Sequence, residues 1–212
     1  MYNLVGIGKA GCNIAEKFLQ YPQYSVYLID TEPREHSSAR SYLMAEQASH
    51  EAYESTFPDL SNFLSGIKTS CLLVLGGSGT ISGCALRVLQ QLRNHDVSVL
   101  YIKPEIELLS QTKKLQDNVV YGVLQEYARS GVLEKFYVIQ NSKLVDILGD
   151  LPVIGYYDKI NNLITHTIHM TNIFKNSRSI MNTFSGPMPA ARIATFGVLD
   201  LSTGIEKPFF DL

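Results

Sequence analysis

Tryptophan is absent from this chain of 212 residues, and cysteine occurs only at Cys12, Cys71 and Cys84. Three cysteines without paired spacing make no disulfide framework and fit a reducing compartment. Each lies in or beside a strand-like run or a glycine loop, so all three read as buried free thiols. No apolar run approaches the roughly 18 residues of a membrane-spanning helix. No signal or transit pattern opens the chain either, so a cytoplasmic location is expected. Basic clusters are scarce: none is longer than Lys113-Lys114, and the formal net charge is −2. That removes the electrostatic footprint of a nucleic-acid or anionic-membrane binder. The Gly-Lys-Ser/Thr of a Walker loop does not occur, which removes kinase-like and classical P-loop GTPase readings. Repeats and low-complexity tracts are also missing. What is left is an ordinary globular composition, long enough for one sizeable core.

Glycine is where the chain becomes specific. One glycine loop is Gly6-Ile7-Gly8-Lys9-Ala10-Gly11-Cys12-Asn13, and the other is Gly76-Gly77-Ser78-Gly79-Thr80-Ile81-Ser82-Gly83. The first follows the apolar run Tyr2 to Val5 and opens a helix from about Asn13. The second follows Cys71 to Leu75 and opens a helix from about Gly83. A strand, a glycine turn and a helix start form an anion site, because unpaired N–H groups and the helix dipole face the ligand. Two such loops in one domain point to a phosphate chain held from two sides.

Further strands are read at Ser25 to Ile29, Val97 to Ile102 and Lys135 to Ile139. Helices are read over Asn13 to Gln20, Pro58 to Ile67 and Gly83 to Arg93. Others lie within Leu108 to Arg129, from a Ser142 cap through Leu148, and over Tyr156 to Ile173. Leu115, Val119, Val123 and Tyr127 are in helical register, as are Ile160, Ile164 and Ile168. Arg34 to Ser55 reads as polar helix and loop, residues 191–199 as strand-like, and 204–212 as irregular. The alternation predicts an α/β fold: a Rossmann-like parallel sheet with helices on both faces. Ligands of such folds bind beyond the carboxyl ends of the strands. The two glycine loops, Asp30-Thr31, Lys103-Pro104 and Asn141 all fall there.

Alone, Gly6-x-Gly8-x-x-Gly11 with Asp30 about twenty residues on matches a dinucleotide fingerprint, the acid serving a ribose. An NAD(P)-binding oxidoreductase or sensor is therefore one reading. It does not need the second loop, whose N–H groups and hydroxyls offer another phosphate site.

The order of motifs resembles the tubulin/FtsZ family of GTP-binding filament proteins, its FtsZ branch above all. The opening loop resembles the family's first phosphate loop. Gly77 to Gly83 resembles its Gly-Gly-Gly-Thr-Gly-Ser/Thr-Gly signature, with Ser78 and Ile81 in place of two glycines. Ile102-Lys103-Pro104 is similar to Thr-Lys-Pro, and Ile139-Gln140-Asn141-Ser142-Lys143-Leu144 to Ile-Pro-Asn-Asp-Lys-Leu. Tyr157 and Asn161-Asn162 match the aromatic and amide residues that hold guanine. The resemblance covers residues 1–164 and extends weakly to Met181. It implies GTP or GDP as ligand, with room for Mg2+. The phosphates would fall to Gly8, Lys9, Ala10, Gly11, Cys12, Asn13, Gly77, Ser78, Gly79, Thr80, Ser82 and Gly83. The sugar and base would fall to Glu107, Asn141, Tyr157, Asn161 and Asn162. Tyr157 can stack on a purine and the amides can read its edge.

The chain also departs from the family. No glycine lies between Arg34 and Ser55, where a glycine-rich loop senses the third phosphate. Arg178-Ser179-Ile180-Met181 aligns with the family's Arg-Thr-Val-Met, which sets its two catalytic acids on Ile173 and Asn176. Neither can act as a base toward water. The central helix is about eleven residues short, roughly 16 Å. Thirty residues follow Asn182, too few for the family's second domain. The expectation is a nucleotide-binding domain at 1–165 and a shortened helix with a remnant segment at 166–212, the second domain largely absent. Hydrolysis would be slow or missing. The partner would be a second copy or a full-length relative, not nucleic acid or membrane. His166 and His169 have a metal-compatible i, i+3 spacing but no third ligand in sequence, so packed histidines are expected. Ser78 and Ser82 lack a His/Asp context for nucleophilic catalysis.

Overall fold

A computed structural model describes residues 2–149, 152, 154–177 and 191–212. The first half runs β1 (Tyr2–Ile7), α1 (Gly8–Lys17), β2 (Tyr24–Asp30), β3 (Arg40–Leu43), α2 (His50–Ser55), α3 (Ser61–Leu64), β4 (Cys71–Gly76) and α4 (Ala85–Gln91). The second runs β5 (Val97–Lys103), α5 (Gln111–Arg129), β6 (Lys135–Gln140), α6 (Asn141–Leu148), α7 (Tyr156–Asn176), β7 (Ile193–Ala194), β8 (Gly197–Asp200) and β9 (Ile205–Pro208).

The first seven strands form one sheet in the order β3-β2-β1-β4-β5-β6-β7, and every neighbouring pair is parallel. Parallel strands need crossovers, and the crossovers cover both faces. Alternate residues of a strand face opposite sides. Val5 and Ile7 join Leu64, Val88 and Leu124 in one apolar layer. Leu4 joins Ile14, Leu144, Ile160, Ile164 and Ile168 in the other. The strand order reverses between β1 and β4, so the two glycine loops leave adjacent strands at the switch point, where open α/β sheets bind ligands.

Several expected boundaries move. The helix after the first loop begins at Gly8, five residues before Asn13, because Gly8 takes φ +65° and turns the strand straight into the helix. The second loop enters a 3₁₀ turn, Thr80–Cys84, before α4. Arg34 to Ser55 contains a strand, β3, as well as α2. Its polar sequence Arg-Ser-Tyr-Leu gives no strand signal, and it is ordered by pairing with β2 at the sheet edge. The helix expected over Pro58 to Ile67 shrinks to α3. Ser142 does not cap α6, which starts one residue earlier behind Gln140. On α5 the predicted stripe is only partly the buried one: Leu115 and Val119 are exposed, and Asp117, Val120, Leu124 and Ala128 face the core. The irregular tail holds β9, paired antiparallel with β8, and buries Phe209 in the core. Helix α7 runs unbroken through the 165/166 position. Among the described residues no helix is long and apolar enough to cross a membrane.

All three thiols are buried and free, and burial pushes each up to about 12. His169 is committed to packing: its Nδ1 lies 2.9 Å from Tyr24 Oη, and its ring stacks on Tyr21 at 3.6 Å. Burial, then the charge of His166, lowers its pKa, and burial lowers that of His50. Protons therefore bind the unfolded chain first as pH falls below about 6.5. Stability is expected to be full above that pH and to decline below it, toward the lower folded values. Urea midpoints at pH 7.5 and 5.5 check this, and His169→Gln is expected to flatten the decline. An unchanged midpoint would contradict the buried, neutral placement.

Candidate functional site

A cleft of about 670 Å³ opens at the carboxyl ends of β1, β4 and β5. Gly8, Lys9, Ala10 and Asn13 line it from the first loop, and Gly76, Ser78, Gly79 and Ile81 from the second. Lys103, Pro104 and Glu105 form its floor beyond β5. Asn141, Tyr156, Tyr157 and Asn161 line it from the starts of α6 and α7. The two loops touch: a Cβ on Gly76 would lie 3.1 Å from Ala10 Cβ. The start of α1 thus directs free N–H groups into the cleft beside the exposed Lys9.

Not every residue expected at the site reaches it. Gly11 packs under the sheet, since a Cβ there would stand 2.2 Å from Val74 O. Cys12 is fully buried, its thiol directed at the carbonyls of Gly6 and Ile29. Gly77 packs against Tyr101 and Asp117, and Gly83 against the backbone of His50. These glycines permit close packing, and such glycines look identical in sequence to ones that face a ligand. Ser82 is buried, donates to Gly79 O at 2.6 Å and lies 3.5 Å from His50 Nε2. Thr80 stands beside the cleft without lining it. Glu107 sits on an exposed 3₁₀ turn (Ile106–Leu108), and Glu105 takes the place in the cleft. Asn162 turns away and donates to Asp158 at 3.1 Å.

Polar networks missed in the sequence brace the site. Arg34 clamps Asp30 through Nε at 2.9 Å and Nη2 at 2.7 Å, and reaches Asn13 Oδ1 at 2.7 Å and the Glu16 carboxylate at 3.1 Å. The second Asp30 oxygen accepts from Thr31 N at 2.9 Å. Asp30 is therefore buried, and both of its oxygens accept hydrogen bonds from within the chain. Beneath the second loop Lys103 Nζ pairs with Asp117 Oδ2 at 2.6 Å, and Tyr101 Oη donates to Oδ1 at 2.6 Å. Burial, then that carboxylate, raises the Tyr101 pKa, so the phenol stays a donor. Among the described residues no cluster of three His, Cys, Asp or Glu could hold a metal. Ile173 and Asn176 lie toward the far end of α7, about 24 Å and about 28 Å along the helix from Tyr157. Arg178, Ser179, Ile180 and Met181 fall outside the described residues.

No protein-family model and no curated protein sequence matches the chain. Solved structures do. An empty FtsZ dimer from M. jannaschii superposes with a TM-score of 0.71 over 92% of this chain, at 14% identity. A tryptophan-to-tyrosine variant of M. jannaschii FtsZ gives 0.60 over 85%, again at 14% identity. The chain spans 62% and 58% of those two chains, less than two thirds of either. It has an FtsZ/tubulin-like fold: the parallel sheet and its helices correspond to the nucleotide-binding domain of FtsZ.

Proposed function

We propose that the chain binds a guanine nucleotide in the cleft between its glycine loops, and that this binding governs assembly with a second copy or with an FtsZ-like partner. The observation that carries the reading is the make-up of that one cleft. Both loops and Lys9 line it at the switch point, and Asn141, Tyr157 and Asn161 line the same cleft. A nucleotide requires both kinds of group, anion donors for its phosphates and an aromatic with amides for its base. Tyr157 is 66% exposed, so its ring is free to stack. The dinucleotide reading is the less favoured one, because the acid it assigns to a ribose, Asp30, is buried and paired with Arg34. With one cleft carboxylate, Glu105, an accompanying Mg2+ would be held chiefly by phosphate and water.

Titration calorimetry with GDP and GTP tests the proposal. Absence of heat with either nucleotide at high micromolar protein would end it. Tyr157→Ala is expected to weaken binding by roughly tenfold or more, since stacking a base contributes about 1–3 kcal/mol. Hydrolysis is proposed to be slow or absent, because Ile173 and Asn176 supply no carboxylate at the far end of α7. Brisk phosphate release that Asn176→Ala abolishes would overturn that part. Electron microscopy with nucleotide, alone and with a full-length relative, separates self-assembly from modulation of a partner.

A further inference from the structure

We propose that Ile81 divides the cleft and makes it a site for guanosine diphosphate in preference to the triphosphate. The inference rests on the guanine-nucleotide reading above. Its starting point is where the Ile81 side chain lies. Its Cγ2 stands 2.5 Å from the position a Cβ on Gly8 would take and 3.8 Å from the same position on Gly79. One methyl group of the second loop therefore reaches the first loop, on the wall of the cleft that both line. A phosphoryl oxygen needs a donor at about 2.7–3.2 Å. A methyl group seated against Gly8 takes up room beside that loop and offers no hydrogen bond in exchange. Ile81 cannot simply swing out: it is β-branched, stiff at χ1, and packs against the core layer that contains Ile7 and Leu75.

Charge acts in the same direction. Among the described residues three charged ones line the cleft: Lys9, Lys103 and Glu105. The Lys103 ammonium is committed to Asp117. Lys9 is left as the cation facing the ligand, offset by Glu105. Each added phosphate brings about one more negative charge into a cleft to which the described residues supply no further cation.

The test is calorimetry with GDP, GTP and the non-hydrolysable analogue GMPPNP on the wild-type chain and on Ile81→Gly and Ile81→Ala. Melting curves identify which variant is folded. The wild type is expected to bind GDP about tenfold or more tighter than GTP or its analogue. The variants are expected to close most of that gap, Ile81→Gly more than Ile81→Ala. Equal or tighter binding of GTP by the wild type would overturn the preference and leave the guanine-nucleotide site standing. An unchanged GDP-to-GTP ratio in the folded variants would overturn the role of Ile81. No binding of any of the three nucleotides by wild type or variants would overturn the site itself, and the inference with it.

Discussion

Asp117→Ala is expected to lower the free energy of unfolding by about 3–5 kcal/mol, the cost of leaving one member of a buried ion pair unmatched. Asp117 is 1% exposed on the inner face of α5, and Lys103 is 8% exposed at the end of β5. Both Asp117 oxygens are used, one by the Lys103 ammonium and one by the Tyr101 hydroxyl. Removing the carboxylate leaves the Lys103 ammonium, at the floor of the cleft, and the buried Tyr101 hydroxyl without their partner. The Tyr121 ring, 4.0 Å below the ammonium, offsets only part of that cost. The pair itself adds little: the double variant Lys103→Met, Asp117→Leu is expected to lie within about 1.5 kcal/mol of wild type, since apolar replacement of buried pairs is often neutral. Urea unfolding of the wild type, Lys103→Met, Asp117→Leu and the double variant measures all four corners of the cycle, with Asp117→Ala run alongside. A loss below about 1 kcal/mol for Asp117→Ala would mean that water reaches the pair. Gly77 rests on Asp117 and Tyr101, so the same change is expected to loosen the second glycine loop and weaken ligand binding.

The fold was largely legible because its signals are local. Cys71 to Leu75 is uniformly apolar, as a strand buried on both faces must be, and both glycine loops mark their strand ends directly. Strand β3 was not legible. Arg40 to Leu43 lies at the sheet edge with mostly exposed side chains, and pairing with β2 is what orders it. On α5 the apolar register pointed to Leu115 and Val119, yet the buried positions include a charged residue, Asp117. No periodicity rule anticipates a buried aspartate whose partner, Lys103, lies on another element. At the site, sequence marked the loops but could not sort their glycines. Gly8, Gly76 and Gly79 line the cleft, whereas Gly11, Gly77 and Gly83 meet backbone or side chains behind it. That division depends on what packs behind each Cα. Arg34 was missed for the same reason: its partners Asn13, Glu16 and Asp30 come from the first helix and from the end of β2.

Glycine supplies the second large effect, because two helical glycines in this chain should respond to alanine with opposite signs. Gly122 lies within α5, and a Cβ there meets nothing within 4 Å. Gly122→Ala is expected to stabilise by up to about 1 kcal/mol, through helix propensity and a less flexible unfolded chain. Gly11 lies within α1 and would gain the same term. Its Cβ, however, would stand 2.2 Å from Val74 O and 3.0 Å from Val74 C, both backbone atoms of β4. That strand is central, paired to β1 on one side and β5 on the other, so it cannot give way. Helix α1 must lift instead. Overpacking of this kind costs about 1–3 kcal/mol and more where no flexible side chain can adjust, which exceeds the propensity gain. Gly11→Ala is therefore expected to destabilise by at least about 2 kcal/mol. It should also displace Gly8, Lys9 and Ala10 from the cleft, so ligand binding falls further than the stability loss alone would produce. Urea unfolding of the two variants side by side decides the matter. If Gly11→Ala proves as stable as Gly122→Ala, α1 does not sit against β4 as described, and the first glycine loop is not held at the switch point.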